Sequence, residues 1–393
     1  MEKTIWSRNT YTMKKFLTVV ALLITQLVHS QCTNVDFSLG NFTGWQAYLG
    51  NCCPINVANS GIVGNRHTIT SGAGTDPRTC NQVPVVCPWG GPFSARLGNA
   101  QRGAQAEALS YTFIPTPASA LFIYSYAVVF EDPGHIEEEQ PRFESFVIAN
   151  GDTIECTKFI VSSNGNLPGF QSCPGIDAQG LPIQIRYKNW SQVGVDLSAY
   201  IGQTVTVYFR TGDCDLGGHY GYAYIDAVGC QPMDIDVLYC VGDSMATVTA
   251  PSGFSSYVWN TGDTTPQITV DPAQYPIVSC TITSVSGCTV VLNTALNPVD
   301  PQVGFLVPNG CICNTPQTTF TDTSTSVHSP IVSWQWTFGD GGTASIQNPT
   351  HVYTLPGIYL VTLTVTTAFG CHDQVQWNVQ IYPCPSTPPI EHN

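Results

Sequence analysis

The hydrophobic and polar positions of this chain alternate with the period of β-strands. Val205, Val207 and Phe209 are separated from one another by polar residues, and this period of two predicts a strand with one buried face. The run from Leu121 to Phe130 is mostly apolar, which suits a strand in the centre of a β-sandwich. With turn residues between such segments, the block 31–232 is predicted to be a two-sheet sandwich with long loops.

Two later segments of the chain repeat each other. Trp259-Asn-Thr-Gly-Asp263 corresponds to Trp336-Thr-Phe-Gly-Asp340, and each is followed by a tyrosine-led strand and then a Gly-Cys pair. The period of about eighty residues is longer than solenoid units and typical of tandem small β-sandwiches. We therefore predict immunoglobulin-like sandwiches at residues 233–300 and 301–383, followed by a proline-rich tail at residues 384–393.

Composition supports an all-β chain and excludes one class of partner. The 393 residues include 35 Gly and 28 Pro, and only 10% are charged, which favours strands and turns over long helices. The formal net charge is −14, and all 13 Lys and Arg lie at or before Arg210. We expect no nucleic acid partner, because no basic surface is present to displace counterions from phosphates.

The N-terminal segment has the features of an export signal. Lys14 and Lys15 precede an apolar run from Phe16 to Val28, which is too short to span a bilayer comfortably. We predict a signal peptide at residues 1–30 and a mature chain without a membrane span, secreted or held at the outer cell surface. Lipid attachment at Cys32 is the alternative.

The sixteen cysteines of an exported chain indicate disulfides. The tight pairs Cys52-Cys53 and Cys311-Ile-Cys313 lack the partner motifs that complete a tetrahedral metal site. Nine cysteines lie in the first block, three in the second and four in the third. The odd numbers predict either a bridge between blocks or a free thiol.

Three stretches of the last block carry a family resemblance: Phe320-Thr-Asp-Thr-Ser324, Trp334-Gln-Trp-Thr-Phe-Gly-Asp-Gly-Gly342, and Asn348-Pro-Thr-His-Val-Tyr353 with the strand after Pro356-Gly357. Over residues 315–382 they resemble the PKD (polycystic kidney disease) domain. The resemblance implies an immunoglobulin-like extracellular module that acts as a spacer or interaction module, without catalysis. Residues 233–300 are similar to the divergent immunoglobulin-like repeats that accompany it in secreted proteins of Bacteroidota.

Two disulfides are predicted within these immunoglobulin-like blocks. Cys240–Cys288 and Cys313–Cys371 would each tie an early strand to the strand after the tyrosine-led one.

The two ends of the first block resemble those of a jelly-roll module. Val35-Asp36-Phe37 with Gly44-Trp45 looks like the first strand of a carbohydrate-binding or galactose-binding-like jelly roll, and Gly217 to Asp226 looks like its last strand. The predicted fold class is thus all-β: a jelly-roll sandwich followed by two tandem immunoglobulin-like sandwiches.

Jelly-roll modules often hold one structural Ca²⁺ between their first and last strands. By position, Asp36 and Asp226 are the predicted ligands and Asp213 and Asp215 are alternates, since calcium prefers hard oxygen ligands. No other cofactor is expected. The alternative is that these acids cap turns and accept backbone hydrogen bonds.

Three tyrosines are the predicted ligand-binding residues. Tyr220, Tyr222 and Tyr224 alternate on the last strand and so share one face, and aromatic faces stack on sugar rings. The alternative is that these rings fill the core. His219, just before them, is predicted to be a loop residue without a catalytic role.

No catalytic residues are predicted. The chain lacks a nucleophile elbow, a zinc-protease helix motif and a phosphate-binding loop. Glu137, Glu138, Glu139 and Glu144 could include a glycosidase pair, but such a run of acids is typical of a solvated loop. We predict a binding or adhesion protein for polysaccharide or glycoprotein ligands. The alternatives are a purely structural stalk or an accessory part of a secreted hydrolase.

Overall fold

A computed structural model describes residues 32–164, 168–177, 179–307 and 317–383, with the backbone of residues 312–313. The predicted signal peptide and proline-rich tail lie outside the described residues. Two compact units are distinguished. The first contains the described residues up to Asp234 with Ala250–Pro266 and Cys280–Leu292, and the second contains Ile235–Thr249, Gln267–Ser279 and the described residues from Asn293 onwards.

The first block is built from antiparallel strands in two sheets. Its strands are β1 (Trp45–Asn51), β2 (Asn56–Asn59), β3 (His67–Ser71), β4 (Phe93–Leu97), β5 (Gln105–Phe113), β6 (Leu121–Asp132), β7 (Arg142–Ala149), β8 (Asp152–Thr153), β9 (Phe159–Ser162), β10 (Phe170–Ile176), β11 (Pro182–Asp196), β12 (Val205–Gly212) and β13 (Gly221–Gln231). A seven-stranded sheet has the order β2-β1-β5-β12-β7-β8, with β9 also paired to β7, and a six-stranded sheet has the order β10-β11-β6-β13-β4-β3. This is the predicted jelly-roll sandwich.

Helical structure among the described residues is confined to single 3-10 turns. They are Pro77–Thr79, Pro117–Ser119, Glu137–Glu139, Glu155–Thr157 and Ser198–Tyr200. Within this described part, no helix has the length and apolar character needed to cross a membrane.

The hydrophobic core lies between the two sheets of the first block. Val205, Val207 and Phe209 of β12 are all buried in it, as their alternation predicts. Strand β6 is buried on both faces, because Phe130 belongs to the core between the sheets whereas Val129 belongs to a second cluster on the other side of the six-stranded sheet. Its position in the middle of that sheet explains the continuous apolar run.

The middle block contributes two three-stranded sheets. Its strands are β14 (Asp236–Leu238), β15 (Ala246–Thr249), β16 (Ser256–Trp259), β17 (Gln267–Val270), β18 (Ile277–Thr283) and β19 (Thr289–Ala295), in the orders β14-β15-β17 and β16-β18-β19. The side chain of Trp259 is buried and its Nε1 donates to the carbonyl of Thr265 at 2.8 Å. The repeated tryptophan therefore closes a turn of its own block.

The last block has a five-stranded sheet and two short strand pairs. Its strands are β20 (Phe305–Leu306), β21 (Ile312–Cys313), β22 (Thr318–Thr319), β23 (Thr321–Asp322), β24 (Ile331–Thr337), β25 (Thr343–Ala344), β26 (Thr350–His351), β27 (Gly357–Thr367) and β28 (His372–Tyr382). The large sheet has the order β21-β28-β27-β24-β25. Trp336 and Phe338 share its core, and Gly339 turns the chain at a φ of +82° where an added Cβ would lie 2.8 Å from the backbone of Leu360. Only glycine fits that position.

The disulfide pairing differs from the prediction. Cys240 pairs with Cys371 and Cys288 pairs with Cys156, so the predicted Cys240–Cys288 and Cys313–Cys371 bridges are wrong; the side chain of Cys313 lies outside the described residues. Cys288 and Cys371 both follow turns at the edges of their blocks, where they reach a cysteine of the preceding block. The odd cysteine counts are thus explained partly by bridges between blocks.

The remaining described disulfides lie within the first block. They join Cys32 to Cys230, Cys80 to Cys173, and the neighbours Cys52 and Cys53. Because the sulfur of Cys32 is used in this way, the structure does not support lipid attachment there. Cys87, Cys214 and Cys280 are buried and free.

Candidate functional site

The predicted tyrosines in and just before β13 are buried and do not form a ligand-binding face. Tyr220, Tyr222 and Tyr224 are 1%, 3% and 3% exposed. The hydroxyls of Tyr222 and Tyr224 both donate to Oδ2 of Asp76, at 2.7 and 2.9 Å. The core interpretation of these residues therefore holds, and the binding interpretation is wrong.

The segment that buries them is the loop between β3 and β4, residues 72–92, which we call the covering loop. Besides Asp76, it contributes Arg78, whose Nη1 donates to the hydroxyl of Tyr220 at 3.1 Å. It is held by the Cys80–Cys173 disulfide to β10 and by Trp190, whose Nε1 donates to the carbonyl of Pro84 at 2.9 Å. Strand alternation identified the shared tyrosine face but not the loop that lies on it.

Asp226 lies on the same face of β13 and is also buried. Its Oδ2 accepts a hydrogen bond from Ser94 Oγ at 3.0 Å, and its Oδ1 has no partner among the described residues. Burial and, secondarily, the charge of Asp36 raise the pKa of Asp226 to about 7. Asp36 itself accepts from the backbone N of Ser38 at 3.1 Å. An unpartnered buried oxygen near a second carboxylate fits a hard cation, so calcium binding stays a prediction.

The alternate calcium ligands, Asp213 and Asp215, accept hydrogen bonds from backbone N–H groups. Asp213 is buried, and its two oxygens accept from the backbone N of Gln105 at 3.1 Å and of Gly221 at 2.9 Å. Asp215 accepts from the backbone N of Cys53 at 3.0 Å. Both acids therefore fix loop ends, which is the alternative role expected for them.

A different set of aromatic side chains faces outwards on the seven-stranded sheet. Tyr48 of β1, Tyr208 of β12 and Phe146 of β7 are half-buried and lie side by side across the strands; we call them the aromatic row. The ring centroids of Tyr48 and Tyr208 are 6.0 Å apart, and those of Tyr208 and Phe146 are 5.2 Å apart. The intervening strand β5 carries the small residues Ala108 and Ser110 opposite them, which leaves room for the rings to meet.

Polar groups border the aromatic row. The hydroxyl of Tyr48 bonds Ser110 Oγ at 3.1 Å and Gln46 Oε1 at 2.9 Å. Arg210 pairs with Glu144 directly across β12 and β7, and its guanidinium lies 4.6 Å from the ring centroid of Phe146. These two charges neutralise each other beside the row, so Glu144 is held as an ion-pair partner.

The partners of the aromatic row come from its own sheet. Its ring contacts and hydrogen bonds are made with β1, β5, β7 and β12, whereas the tyrosines of β13 are contacted by the covering loop. Sequence alternation could place Tyr208 opposite the buried face of β12, but Tyr48 and Phe146 are distant in sequence and join it only through strand pairing.

The predicted acidic loop is solvent-facing. Glu137 and Glu138 are exposed and Glu139 is half-exposed on a single 3-10 turn. His219 lies in the loop between β12 and β13, where its carbonyl accepts from the backbone N of Cys214 at 3.1 Å, as predicted for a loop residue.

Comparison with known proteins identifies the last block. The family model of the PKD domain matches residues 298–381. Collagenase ColA of Bacillus cereus is 39% identical over 66 residues, which is 17% of this chain but only 7% of the length of that collagenase.

Two solved structures give further similarities. The PKD1 domain of the Vibrio cholerae metalloprotease PrtV is 33% identical, with a TM-score of 0.19, and covers 21% of this chain and 95% of that domain. TmCBM61 in complex with β-1,4-galactotriose is 11% identical, with a TM-score of 0.26, and covers 49% of this chain and 92% of that protein. With its Trp336–Phe338 core, residues 298–381 of this all-β chain are a PKD domain.

Proposed function

We propose that the jelly-roll block binds an extracellular polysaccharide through the aromatic row. The single observation that carries this proposal is a strip of three aromatic rings across four adjacent strands, contacted only by its own sheet in the interactions described above. Aromatic side chains offer apolar surface to the C–H groups of sugars, and tyrosine adds a hydroxyl for hydrogen bonding. The Arg210–Glu144 pair leaves little net charge beside the strip, which suits a neutral glycan.

The remaining blocks serve as extracellular spacers in this proposal. A PKD domain and several disulfides support a location outside the reducing cytoplasm. The chain then presents a binding block on immunoglobulin-like modules, as an exported binding or adhesion protein would.

The test is retention of the full chain on a panel of insoluble and gel-embedded polysaccharides. Tyr208→Ala should weaken retention about tenfold or more, as expected for a central aromatic contact. Tyr48→Phe should keep most of the affinity because the ring remains. Tyr382→Ala, at a tyrosine that is 46% exposed in the PKD domain, is the matched control and should bind like the parent.

The proposal fails if Tyr208→Ala and Phe146→Ala both keep the parent's retention while melting normally. It also fails if the parent is retained by no polysaccharide of the panel.

A second candidate function is an accessory role beside a secreted protein hydrolase. It is favoured by the similarity of the PKD domain to the collagenase, although the chain covers little of that enzyme. A collagen arm in the same panel separates the two proposals. Retention on collagen that survives Tyr208→Ala but is lost in Trp377→Ala, at a PKD side chain that is 43% exposed, would support the second function.

A further inference from the structure

Two loops bring two histidines and a free cysteine together at one end of the sandwich. His135 follows β6, Cys214 follows β12, and His219 precedes β13. One ligand atom from each lies within 4.8 Å of the others. The imidazole rings of His135 and His219 are 5.3 Å apart and nearly perpendicular, at 84°, so the rings do not stack face to face.

The distances in this cluster suit a tetrahedral metal ion. Sγ of Cys214 lies 3.3 Å from Nδ1 of His135. A tetrahedral zinc ion with bonds of about 2.3 Å to sulfur and about 2.0 Å to nitrogen holds these two atoms about 3.5 Å apart. The pair is therefore already at ligand spacing, whereas the ligand atom of His219 lies within 4.8 Å of the other two and would have to move closer to them.

Two features of the cluster favour a bound ion. Cys214 is completely buried and forms no disulfide, although the chain has the cysteine usage of an exported protein. Nδ1 of His219 is buried without a hydrogen-bond partner. A buried imidazole nitrogen that lacks a partner costs free energy, and a metal ion would supply the missing interaction.

The backbone around the cluster is fixed by hydrogen bonds. The backbone N of Cys214 donates to the carbonyl of His219 at 3.1 Å, and that of Asp215 donates to the carbonyl of Glu139 at 3.2 Å. Nε2 of Gln140 donates to the carbonyl of His135 at 2.7 Å. The loop of His135 and the loop that carries Cys214 and His219 are thus tied to each other before any ion binds, which reduces the ordering that binding requires.

We propose that His135, Cys214 and His219 form a binding site for one zinc-type transition-metal ion. A thiolate and two imidazoles are the donor set that zinc prefers over calcium or magnesium. Oε2 of Glu139 lies 4.0 Å from Nδ1 of His135, and its side chain is 33% exposed. Glu139 or a water molecule would supply the fourth ligand. Sequence spacing gave no sign of the site because His135 lies on a different loop, far in sequence from Cys214 and His219.

The test uses the untagged full chain, freed of metal by chelator and titrated with Zn²⁺ and Co²⁺. The parent should bind one ion per chain, and the cobalt form should show thiolate-to-metal charge-transfer absorption. Cys214→Ser should abolish that absorption, and His219→Gln should weaken zinc binding at least tenfold, as loss of one of three protein ligands predicts. Cys87→Ser changes another buried free cysteine and should behave like the parent.

His135→Gln separates loss of metal binding from loss of folding. The His135 side chain is 24% exposed, so its replacement disturbs folding less than replacement of buried Cys214. It should also weaken zinc binding while far-ultraviolet circular dichroism stays unchanged. Absence of stoichiometric zinc binding by the parent, or charge-transfer absorption that persists in Cys214→Ser, would overturn the proposal.

Discussion

Two buried aspartates of the jelly-roll block retain protons far above the ordinary aspartate range. Burial raises the pKa of Asp213 to about 8 and that of Asp226 to about 7. In the unfolded chain both groups lose their protons near pH 4. The native state thus binds more protons than the unfolded state between pH 4 and pH 7, and its stability falls as pH rises through this window.

Asp226→Asn should reduce this pH dependence. One such group contributes a slope of up to about 1.4 kcal/mol per pH unit, and the variant removes it because the amide does not titrate. We expect the loss of melting temperature between pH 5 and pH 8 to be smaller in Asp226→Asn than in the parent. Asp152→Asn, at an exposed position of β8, is the control, and equal pH profiles for parent and Asp226→Asn would contradict the assignment.

Calcium would favour the ionised form of the Asp226 carboxylate, whereas burial favours its protonated form. An ion bound by Asp36 and Asp226 favours the ionised form and stabilises the native state by mass action. The parent should then melt at a higher temperature with calcium than with chelator at pH 8, and Asp226→Asn should not. If the parent melts at the same temperature in both conditions, only the alternative role of Asp36 and Asp226 remains, in which they cap turns and accept hydrogen bonds.

At the scale of elements, strand periodicity predicts which residues share a face of the strand, but not which other segment packs on that face. The alternation of β12 and the apolar run of β6 predict these two strands correctly, because both patterns depend on neighbours in the chain. Alternation also predicts the shared face of Tyr222 correctly, but the burial of Tyr222 depends on Asp76 and the rest of the covering loop. Tyr48 and Phe146 meet Tyr208 only through pairing across the sheet, which no local pattern reports.

The covering loop should depend on its disulfide. Cys80→Ser with Cys173→Ser opens a loop of 93 residues, for which the chain-entropy model gives a loss of up to about 4 to 5 kcal/mol of unfolding free energy. We expect faster hydrogen exchange in residues 72–92, measured by mass spectrometry. The pair Cys240→Ser and Cys371→Ser is the control, since it removes a bridge elsewhere. Unchanged exchange in residues 72–92 would show that hydrogen bonds alone hold the loop.

At the scale of the whole molecule, the blocks are cross-linked in overlapping fashion. The Cys156–Cys288 bridge encloses Cys240, and the Cys240–Cys371 bridge encloses Cys288. The internal repeat correctly indicated two successive immunoglobulin-like blocks. It could not indicate these bridges, because repeated spacing carries no information about which cysteine of a neighbouring block comes within reach.

This pairing predicts the outcome of limited proteolysis. A single cut between Cys32 and Cys371 should leave one covalent species without reductant and two fragments with it, because each position is spanned by at least one disulfide. With Cys156→Ser and Cys288→Ser, a cut at Asp234 or Asp236 should separate the fragments even without reductant. Fragments released from the unreduced parent by such a cut would contradict the pairing.

The same bridges set a limit on how far the oxidised chain can be stretched. A covalent route runs from Cys32 through its sulfur to Cys230, along the backbone to Cys240, and through the second bridge to Cys371. The only backbone on this route is residues 230–240, which spans at most about 36 Å when fully extended. A mechanical pull on the two ends of this region therefore loads sulfur–sulfur bonds and a ten-residue segment. Even with every strand unravelled, the tether between Cys32 and Cys371 stays short.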